Sequence, residues 1–434
     1  MILDQILSGD WHVVWPDRTG ERALPKIPNY PRLARSHRTY LVGQTDPTLS
    51  IRPSDMTDKA KANAEQRERI VQGWQDRSLV RLLMPEWAGD LVVTGLCATK
   101  VLPDMGEKDK SKRFPQYCWI TPRHLYPSPM FSKGPFIDDA CIAYEDKANS
   151  VAKRFNAGDT LRTMLDAAGK RGQTEADKVR VIEYHDDKVS MVIAEALYRS
   201  NPGKNRAFEV LMYEEHGLEK CPIVIGTTST HDGVYRSQLD DGLAMLNTGN
   251  RLMTLHLDGA VQKVYPTLVT SEGVENEGDY GPGAVIHLTD PSARIEYLNT
   301  PAAAYDNYQI IRQLDSYLRT AFLLPPSLTG DPNEAVTSAA GINATQAMPN
   351  AEVVAIQRHA IAPMLQAANE IAIRADEKWA DTEKTITGVA KGSPFVEKYT
   401  PSKVFAGNYA NTVTYGMGAG VDAVTLNVAL LQNK

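Results

Sequence analysis

The segment Tyr305–Phe322 decides how the rest of this chain is interpreted, and it reads YDNYQIIRQLDSYLRTAF. Its apolar side chains recur at intervals of three and four residues, which predicts an amphipathic helix. The members of this stripe are Tyr308, Ile311, Leu314, Leu318 and Phe322. A helix from Pro301 to Leu323 would be roughly 35 Å long. Pro325 and Pro326 should end it, because proline lacks a backbone donor and restricts the residue before it.

The segment after this helix changes character twice. Residues 327–343 carry almost no large apolar side chain, so we expect a mobile loop. A helical pattern then returns within residues 344–395 and continues to Trp379, and Pro349 and Pro363 should kink it. The simplest interpretation is two core helices joined by a surface loop, since amphipathic stripes usually mean core packing.

A second long helix and a small insert precede the segment Tyr305–Phe322. Residues 236–264 form a helical stripe that should end before Pro266, and its members are Leu239, Leu243, Leu246, Met253, Leu257 and Ala260. The insert 266–300 has short β-like runs and a local charge of −5. Its acids are Glu272, Glu275, Glu277, Asp279, Asp290 and Glu296, against Arg294 alone. This surplus indicates either a solvated loop or, if copies of the chain assemble, an acidic ring.

The first half of the chain predicts a mixed α+β domain. Residues 11–60 read as an extended arm, and a charged helix follows over Asp58–Arg81 with a break at Met84–Pro85. The β-rich runs are Leu91–Cys97, Tyr117–Ile120 and Ala140–Tyr144. Residues 178–193 alternate around the turn His185–Lys188, which predicts a hairpin. A further pair of strands is expected at Ala207–Tyr213 and Cys221–Gly226.

Composition bounds the class of protein. The 434 residues are 42% hydrophobic and 23% charged, and the mean hydropathy is −0.34. We therefore expect a soluble globular protein of two or more domains. The 47 basic and 53 acidic side chains give a net charge of −6, which is not typical of a protein that grips a phosphate backbone.

The spacing of the cysteines indicates a reducing compartment, and the sequence predicts neither an export signal nor a membrane span. Cys97, Cys118, Cys141 and Cys221 are far apart and form no C-x-x-C pair. Structural disulfides and a zinc site are therefore not expected. The start lacks the basic and apolar regions of an export signal, and no apolar run is long enough for a membrane span.

Catalytic motifs give no positive signal, so we expect neither an enzyme nor a cofactor. No G-x-x-x-x-G-K-[ST] phosphate loop is present. His185 with its neighbouring aspartates, and His231 with Asp232, are the candidates for a metal-dependent hydrolase. Adjacent residues on a turn point in different directions, which favours exposed turns at both places.

The order of elements, together with three degenerate motifs, resembles the portal proteins of tailed bacteriophages, and the siphophage type in particular. The first motif is EHGLEKCPIV at residues 215–224, which is similar to the His/Gly turn and Pro-hydrophobic strand that lead into the stem of that family. The second is LLPPSLTGD at 323–331, and the third is the Ser/Gly/Ala-rich VTSAAGINA at 336–344. The resemblance covers nearly the whole chain.

The resemblance implies an α+β portal-like subunit with a wing, a two-helix stem, a small β-rich clip and a long kinked helix. The implied boundaries are 1–75 for an N-terminal arm, 76–235 for the wing, 236–265 and 301–326 for the stem helices, 266–300 for the clip, 327–343 for a tunnel loop, 344–395 for the long kinked helix, and 396–434 for a wing return and the start of a crown. The implied tunnel-loop residues are Asp331, Asn333, Glu334, Thr337, Ser338 and Asn343, and the implied acidic clip surface is Glu272, Glu275, Glu277 and Asp279.

The function implied by the resemblance is a non-enzymatic ring at one capsid vertex. Portals of this family form homo-oligomers, usually dodecamers, through which double-stranded DNA passes during packaging and ejection. The implied partners are the major capsid protein, the large terminase subunit and a head–tail adaptor, and the implied location is the virion, after assembly in the host cytoplasm. Another virion structural protein, such as a minor head or adaptor component, remains the main alternative.

Overall fold

The computed structural model describes most of the chain as an α+β protein. The described residues are 29–43, 46–103, 109, 112–128, 134–167, 178–196, 208–228, 230–231, 234–264, 304–324, 351–379, 381–390 and 393–415, with short pieces at 268–270, 274–275, 287–288, 292 and 295–297. They divide into two compact units. The smaller unit is drawn from Met1–Ala34 and Leu239–Ala335, and the larger from Arg35–Gln238 and Val336–Lys434.

The N-terminal part of the larger unit combines helices with antiparallel strands. Its helices are α1 (Tyr30–Gly43), which begins in the smaller unit, α2 (Asp58–Arg77), α3 (Val80–Thr94), α4 (Ala148–Phe155) and α5 (Gly158–Ala167). Its strands are β1 (Pro47–Ser50), β2 (Leu96–Pro103), β3 (Pro115–Ile120), β4 (Leu125–Pro127), β5 (Ala140–Lys147), β6 (Lys178–His185), β7 (Val189–Ala196), β8 (Phe208–Glu215), β9 (Ile223–Thr227), β10 (Thr230–His231) and β11 (Val234–Tyr235).

The two largest sheets of this unit pack against each other. Strands β3-β2-β9 make a three-stranded sheet and β4-β5-β6-β7-β8 a five-stranded one, and all neighbouring strands are antiparallel. Successive side chains of β2 point to opposite faces of the three-stranded sheet. Leu96 and Ala98 pack toward the five-stranded sheet, in a core with Ile142, whereas Cys97 faces the opposite layer, where its Sγ contacts Met364.

A second apolar core covers one face of the five-stranded sheet. Val179, Val181 and Val192 alternate inward along β6 and β7. They pack against Val151 of α4 and Leu161 of α5, all nearly inaccessible to solvent. The predicted hairpin over residues 178–193 is confirmed in the pairing of β6 with β7. The strands expected at Ala207–Tyr213 and Cys221–Gly226 are present, but as β8 and β9 they belong to different sheets.

The prediction of an extended arm over residues 11–60 is wrong for residues 30–43, which form helix α1. Asn29 Oδ1 accepts the backbone N–H of Arg32 at 3.1 Å and so caps the first turn. Tyr30, Ala34 and Val42 lie buried on one side at helical spacing. The fourth member of this stripe is Arg38, which is buried too. A charged residue in the stripe hid its periodicity from sequence reasoning.

The predicted break at Pro85 is wrong, and the predicted strand over Leu91–Cys97 is wrong for residues 91–95, because only Leu96 and Cys97 belong to a strand, β2. Helix α3 runs through Pro85 and includes residues 91–94, and it ends at Gly95, whose φ is +74°. The break between helices lies instead at Leu79, which is left-handed with φ 53°. Trp87, Leu91 and Val92 are fully buried. Tertiary burial therefore outweighs both the proline penalty and the β propensity of the Leu-Val-Val run.

The long kinked helix was predicted within 344–395, and the described part ends earlier. Residues 351–355 are helical, a π-helix follows at Ile356–Ile361, and α8 (Ala362–Trp379) completes the element. The wide turn directly precedes Pro363, which lacks the N–H that a regular helix needs at that point. The hairpin β16 (Lys384–Ala390) and β17 (Ser393–Tyr399) replaces the rest of the predicted helix, and α9 (Pro401–Val404) and β18 (Thr412–Tyr415) follow.

Helix α8 lies on the opposite side of the three-stranded sheet from the five-stranded sheet. It contacts β2, β3 and β9, and its residues Leu365, Ala368 and Ile371 are buried. Where β9 passes the π-helix, a Cβ on Gly226 would lie 2.7 Å from the carbonyl oxygen of Ala360. Only glycine allows this close approach of strand to helix.

The smaller unit contains two helices with short strands between them. Its elements are α6 (Asp240–Val264), β12 (Leu268–Thr270), β13 (Val274–Glu275), β14 (His287–Leu288), β15 (Ile295–Tyr297) and α7 (Ala304–Ala321). Strand β12 pairs with β15, and β13 pairs with β14, both antiparallel. The helices predicted at 236–264 and 301–323 are thus present with slightly shorter bounds. Their roles as stem and clip stay predictions.

Candidate functional site

The two helices of the smaller unit, α6 and α7, pack closely against each other at Gly242. A Cβ on Gly242 of α6 would lie 2.4 Å from the ring of Phe322, just after α7, so the ring occupies the space above the glycine. Leu246 of α6 and Leu318 of α7 are buried at 3% and 0% exposure. Asn250 is buried on the same side of α6. The absence of a side chain at residue 242 lets the two helices approach closely.

Tyr30 adds a polar contact to α7. Its hydroxyl donates to the carboxylate of Asp315, which also pairs with Arg319 at 2.8 Å. Burial, followed by the hydrogen bond to Asp315, raises the pKa of Tyr30 to about 12. The tyrosine therefore remains a neutral donor at physiological pH, and residues at the start of α1 are fixed to the helix pair.

Both helices leave apolar side chains in solvent beside their packed faces. Ile310 and Tyr317 of α7 are 47% and 53% exposed, and Met245 of α6 is 41% exposed. The first two are seven residues apart and so lie on the same side of α7, about 90° from the buried Leu318. Helix α7 thus carries apolar side chains outside the stripe that packs against α6. We call Met245, Ile310 and Tyr317 the apolar flank.

The structure describes only a small part of the predicted site residues. Asp331, Asn333, Glu334, Thr337, Ser338 and Asn343 all lie outside the described residues, as do Glu272, Glu277 and Asp279. Glu275 lies on β13, opposite His287 of β14. The tunnel loop and the acidic clip surface therefore stay predictions.

The larger unit holds a buried polar cluster that sequence reasoning missed. Glu183 of β6 pairs with Lys100, which reaches it from β2 and so joins the two sheets. The hydroxyl of Tyr144 donates to the same carboxylate at 2.7 Å. His185 Nδ1 lies 2.8 Å from Ser190 Oγ, and its Nε2 lies 3.5 Å from Glu183.

The cluster is electrostatically consistent at neutral pH. Burial alone raises the pKa of Glu183, but hydrogen bonding with His185 and the charge of Lys100 outweigh burial and hold the pKa well below its usual value. Burial disfavours the charged form of His185 and so lowers its pKa, although the nearby Glu183 carboxylate opposes this shift. The cluster is thus an ionised carboxylate and a neutral imidazole, held between layers.

The prediction of an exposed turn at His185–Asp187 is wrong for the histidine, whose exposure is 1%. The alternation of Val179, Val181, Glu183 and His185 along β6 could have revealed this, because these four share the core face. Asp186 does form the turn, where its carboxylate accepts the backbone N–H of Lys188 and of Val189. The histidine and the aspartate therefore do not converge on a common ligand.

Acidification should weaken this part of the fold through His185. Its folded pKa lies below the ordinary 6.5, so as pH falls through that value the unfolded chain takes up a proton that the folded chain does not. The unfolding free energy should then decline by up to about 1.4 kcal/mol per pH unit. We expect His185→Gln to show a flatter decline between pH 7.5 and 5 in urea titrations.

The exposed His124 provides the control for that comparison. A His124→Gln variant should keep the wild-type decline, because this side chain lies in solvent and packs against no core. Parallel curves for the wild type and His185→Gln would contradict the assignment.

A metal site is a further possibility in the described residues. No group of three or more His, Cys, Asp or Glu side chains there is arranged to hold a metal ion. The four cysteines are all unpaired. Within the described helices, none is both long and apolar enough to cross a bilayer. No protein-family model matches this chain, and a search of curated proteins finds no match either.

Proposed function

We propose that this chain is the subunit of a phage portal, a ring of identical copies around a channel for double-stranded DNA. The observation that carries the proposal is the apolar flank of the helix pair. Met245, Ile310 and Tyr317 lie partly in water in the single chain. Apolar side chains left in solvent beside a packed helix pair are candidates for a surface of association, and in a ring of helix pairs the next subunit would cover them.

Charge is compatible with a channel that passes DNA rather than holding it. The insert between the helices has a local charge of −5, and the chain has a net charge of −6. A lining of this sign attracts no phosphate backbone, so DNA could slide along it. In this proposal residues 266–300 form the clip, which docks terminase and later the adaptor, and residues 327–343 face the channel.

The order of elements supplies the remaining support. An α+β unit, a long helix, a small β insert and a second long helix follow one another along the chain, as they do in the portal family that the sequence resembles. The ring would act without catalysis at one vertex of the capsid, and twelve copies is the number that the resemblance favours.

Electron microscopy and native mass spectrometry of the purified full chain test the proposal. We expect closed rings with a central channel. Ile310→Asp should lower the ring fraction at micromolar concentration at least tenfold, because association would bury an unpaired charge. Gln309→Asp, at an exposed position next to it on α7, is the matched control and should assemble like the wild type.

A chain that stays monomeric across concentration and salt would overturn the ring. A different virion component, such as an adaptor or minor head protein, would be recognised by the mass of the assembly and its position in particles.

A further inference from the structure

The five-stranded sheet has a second face that α4 and α5 do not cover. Register places Tyr126, Cys141, Tyr184, Met191 and Tyr213 in one row across its strands. The next row includes Ile193 and Val210. Neither row contains a charged side chain, and Tyr126, Tyr213 and Val210 are 61%, 61% and 52% exposed. We call these two rows the outer sheet face. Tyrosine and methionine at its centre are typical of protein interfaces.

One end of this face carries an acidic rim. It lies where β5 begins, β6 turns into β7 and β8 ends, and its members are Asp138, Asp139, Asp186, Asp187 and Glu215. Lys188 lies in the same turn as two of them. Such a surplus of acid beside an apolar surface selects a basic, partly apolar partner and repels nucleic acid.

Helix α1 has the complementary surface. Its sequence, YPRLARSHRTYLVG, contains three arginines and no acid, and of the three Arg32 is exposed, Arg35 half-buried and Arg38 buried. Arg32, Leu33, Ser36 and Tyr40 are exposed at helical spacing, with Leu33 at 47% and Tyr40 at 64%. A helix of 14 residues is about 21 Å long, and five strands span about 19 Å. The basic helix therefore matches the outer sheet face in size, polarity and charge.

We propose that α1 of one copy docks on the outer sheet face of the next copy, with the exposed Arg32 toward the acidic rim. Because two different surfaces meet, the contact is head-to-tail and can close a ring. The docked area is on the order of a few hundred Å² per copy, below the roughly 800 Å² per partner of a stable complex. The contact therefore rests on the proposed ring, in which it would be a second interface in addition to the apolar flank.

Charge exchange between full-length chains tests the contact. One variant carries Asp187→Lys and Glu215→Lys on the rim, and the other carries Arg32→Glu and Ser36→Glu on α1. Each alone should raise the concentration at which half the chains are in rings at least tenfold, because like charges would meet at every contact. An equimolar mixture should recover the wild-type value, since each variant then finds opposite charge on its neighbour. Mass photometry at 0.15 M salt measures both.

Glu65→Lys with Glu86→Lys makes the same charge change at exposed positions on α2 and α3 and should leave assembly unchanged. If the wild type forms rings and both exchange variants assemble within twofold of it, the contact is overturned while the ring survives. A mixture no better than the separate variants also overturns the contact. A wild type that never associates overturns the ring and this contact together.

Discussion

Lys384→Ala should lower the free energy of unfolding by about 3–5 kcal/mol at pH 8, the cost of leaving a buried charge without its partner. The side chains of Lys384 and Asp376 form an ion pair with 0% exposure on both sides. Lys384 Nζ also donates to the carbonyl of Arg113 at 2.8 Å. Tyr399 donates to the same aspartate at 3.1 Å, so the pair links α8 to the β16–β17 hairpin.

The pH dependence gives this prediction a second readout. Burial, only partly offset by Lys384, raises the pKa of Asp376 from 3.8 to about 6. Such a group loses stabilisation as pH rises through that window, because the folded chain holds a proton that the unfolded chain releases. Removal of Lys384 should raise this pKa further. The loss in Lys384→Ala should therefore be smaller at pH 5 than at pH 8 in urea titrations followed by circular dichroism.

Two controls separate the ion pair from general damage to the hairpin. Lys398, exposed on β17, should tolerate alanine within about 0.5 kcal/mol. The double variant Asp376→Asn/Lys384→Met removes both charges and should be more stable than Lys384→Ala. A double variant that is less stable than the single one would show that the pair is not the source of the effect.

Gly95→Ala is the second large expected effect, with a loss of about 2–5 kcal/mol when left-handed strain and overpacking are added. Gly95 ends α3 with φ +74°, and its N–H donates to Leu91. A Cβ there would lie 2.2 Å from the carbonyl oxygen of Arg236. That oxygen belongs to backbone, which cannot rotate away as a side chain can.

Gly407 isolates the conformational part of that cost. It has the same φ of +74°, and nothing lies within 4 Å of a Cβ built on it. Gly407→Ala should therefore cost only the left-handed penalty, about 1–2 kcal/mol. Equal losses for the two variants in thermal unfolding would mean that the backbone at Arg236 moves aside, and that close packing is not what requires glycine at residue 95.

Sequence reasoning succeeded where a periodic pattern was long or a turn was well marked. The helices α6 and α7 and the hairpin of β6 and β7 follow from periods of 3.6 and 2, with polar or proline stops at their ends. It failed where packing opposed local preference. Pro85 and the Leu-Val-Val run lie inside α3 because that helix is buried between other layers, which local preference cannot register.

The candidate site also has features that the sequence could predict and features that only the fold decides. The stripe on α7 is visible from spacing alone, but Ile310 and Tyr317, which remain in water, are not members of it. Only the tertiary structure shows which side of α7 the helix α6 leaves uncovered. Glu183 could have been placed on the core face from the alternation along β6. Its partner Lys100 could not, because 83 residues separate the two in sequence and only the stacking of two sheets brings them together.

The sequence by itself determined the mixed class, the two helices on either side of an acidic insert, and the net charge of −6, because period, composition and proline placement are local properties. Only the tertiary structure decided the pairing of β8 and β9 with different sheets, the buried pairs of Lys100 with Glu183 and of Lys384 with Asp376, and the side chains left uncovered on α7 and the outer sheet face. Each of these depends on contacts between residues far apart in the chain, and their free energy comes from desolvation, which exists only once the layers have met.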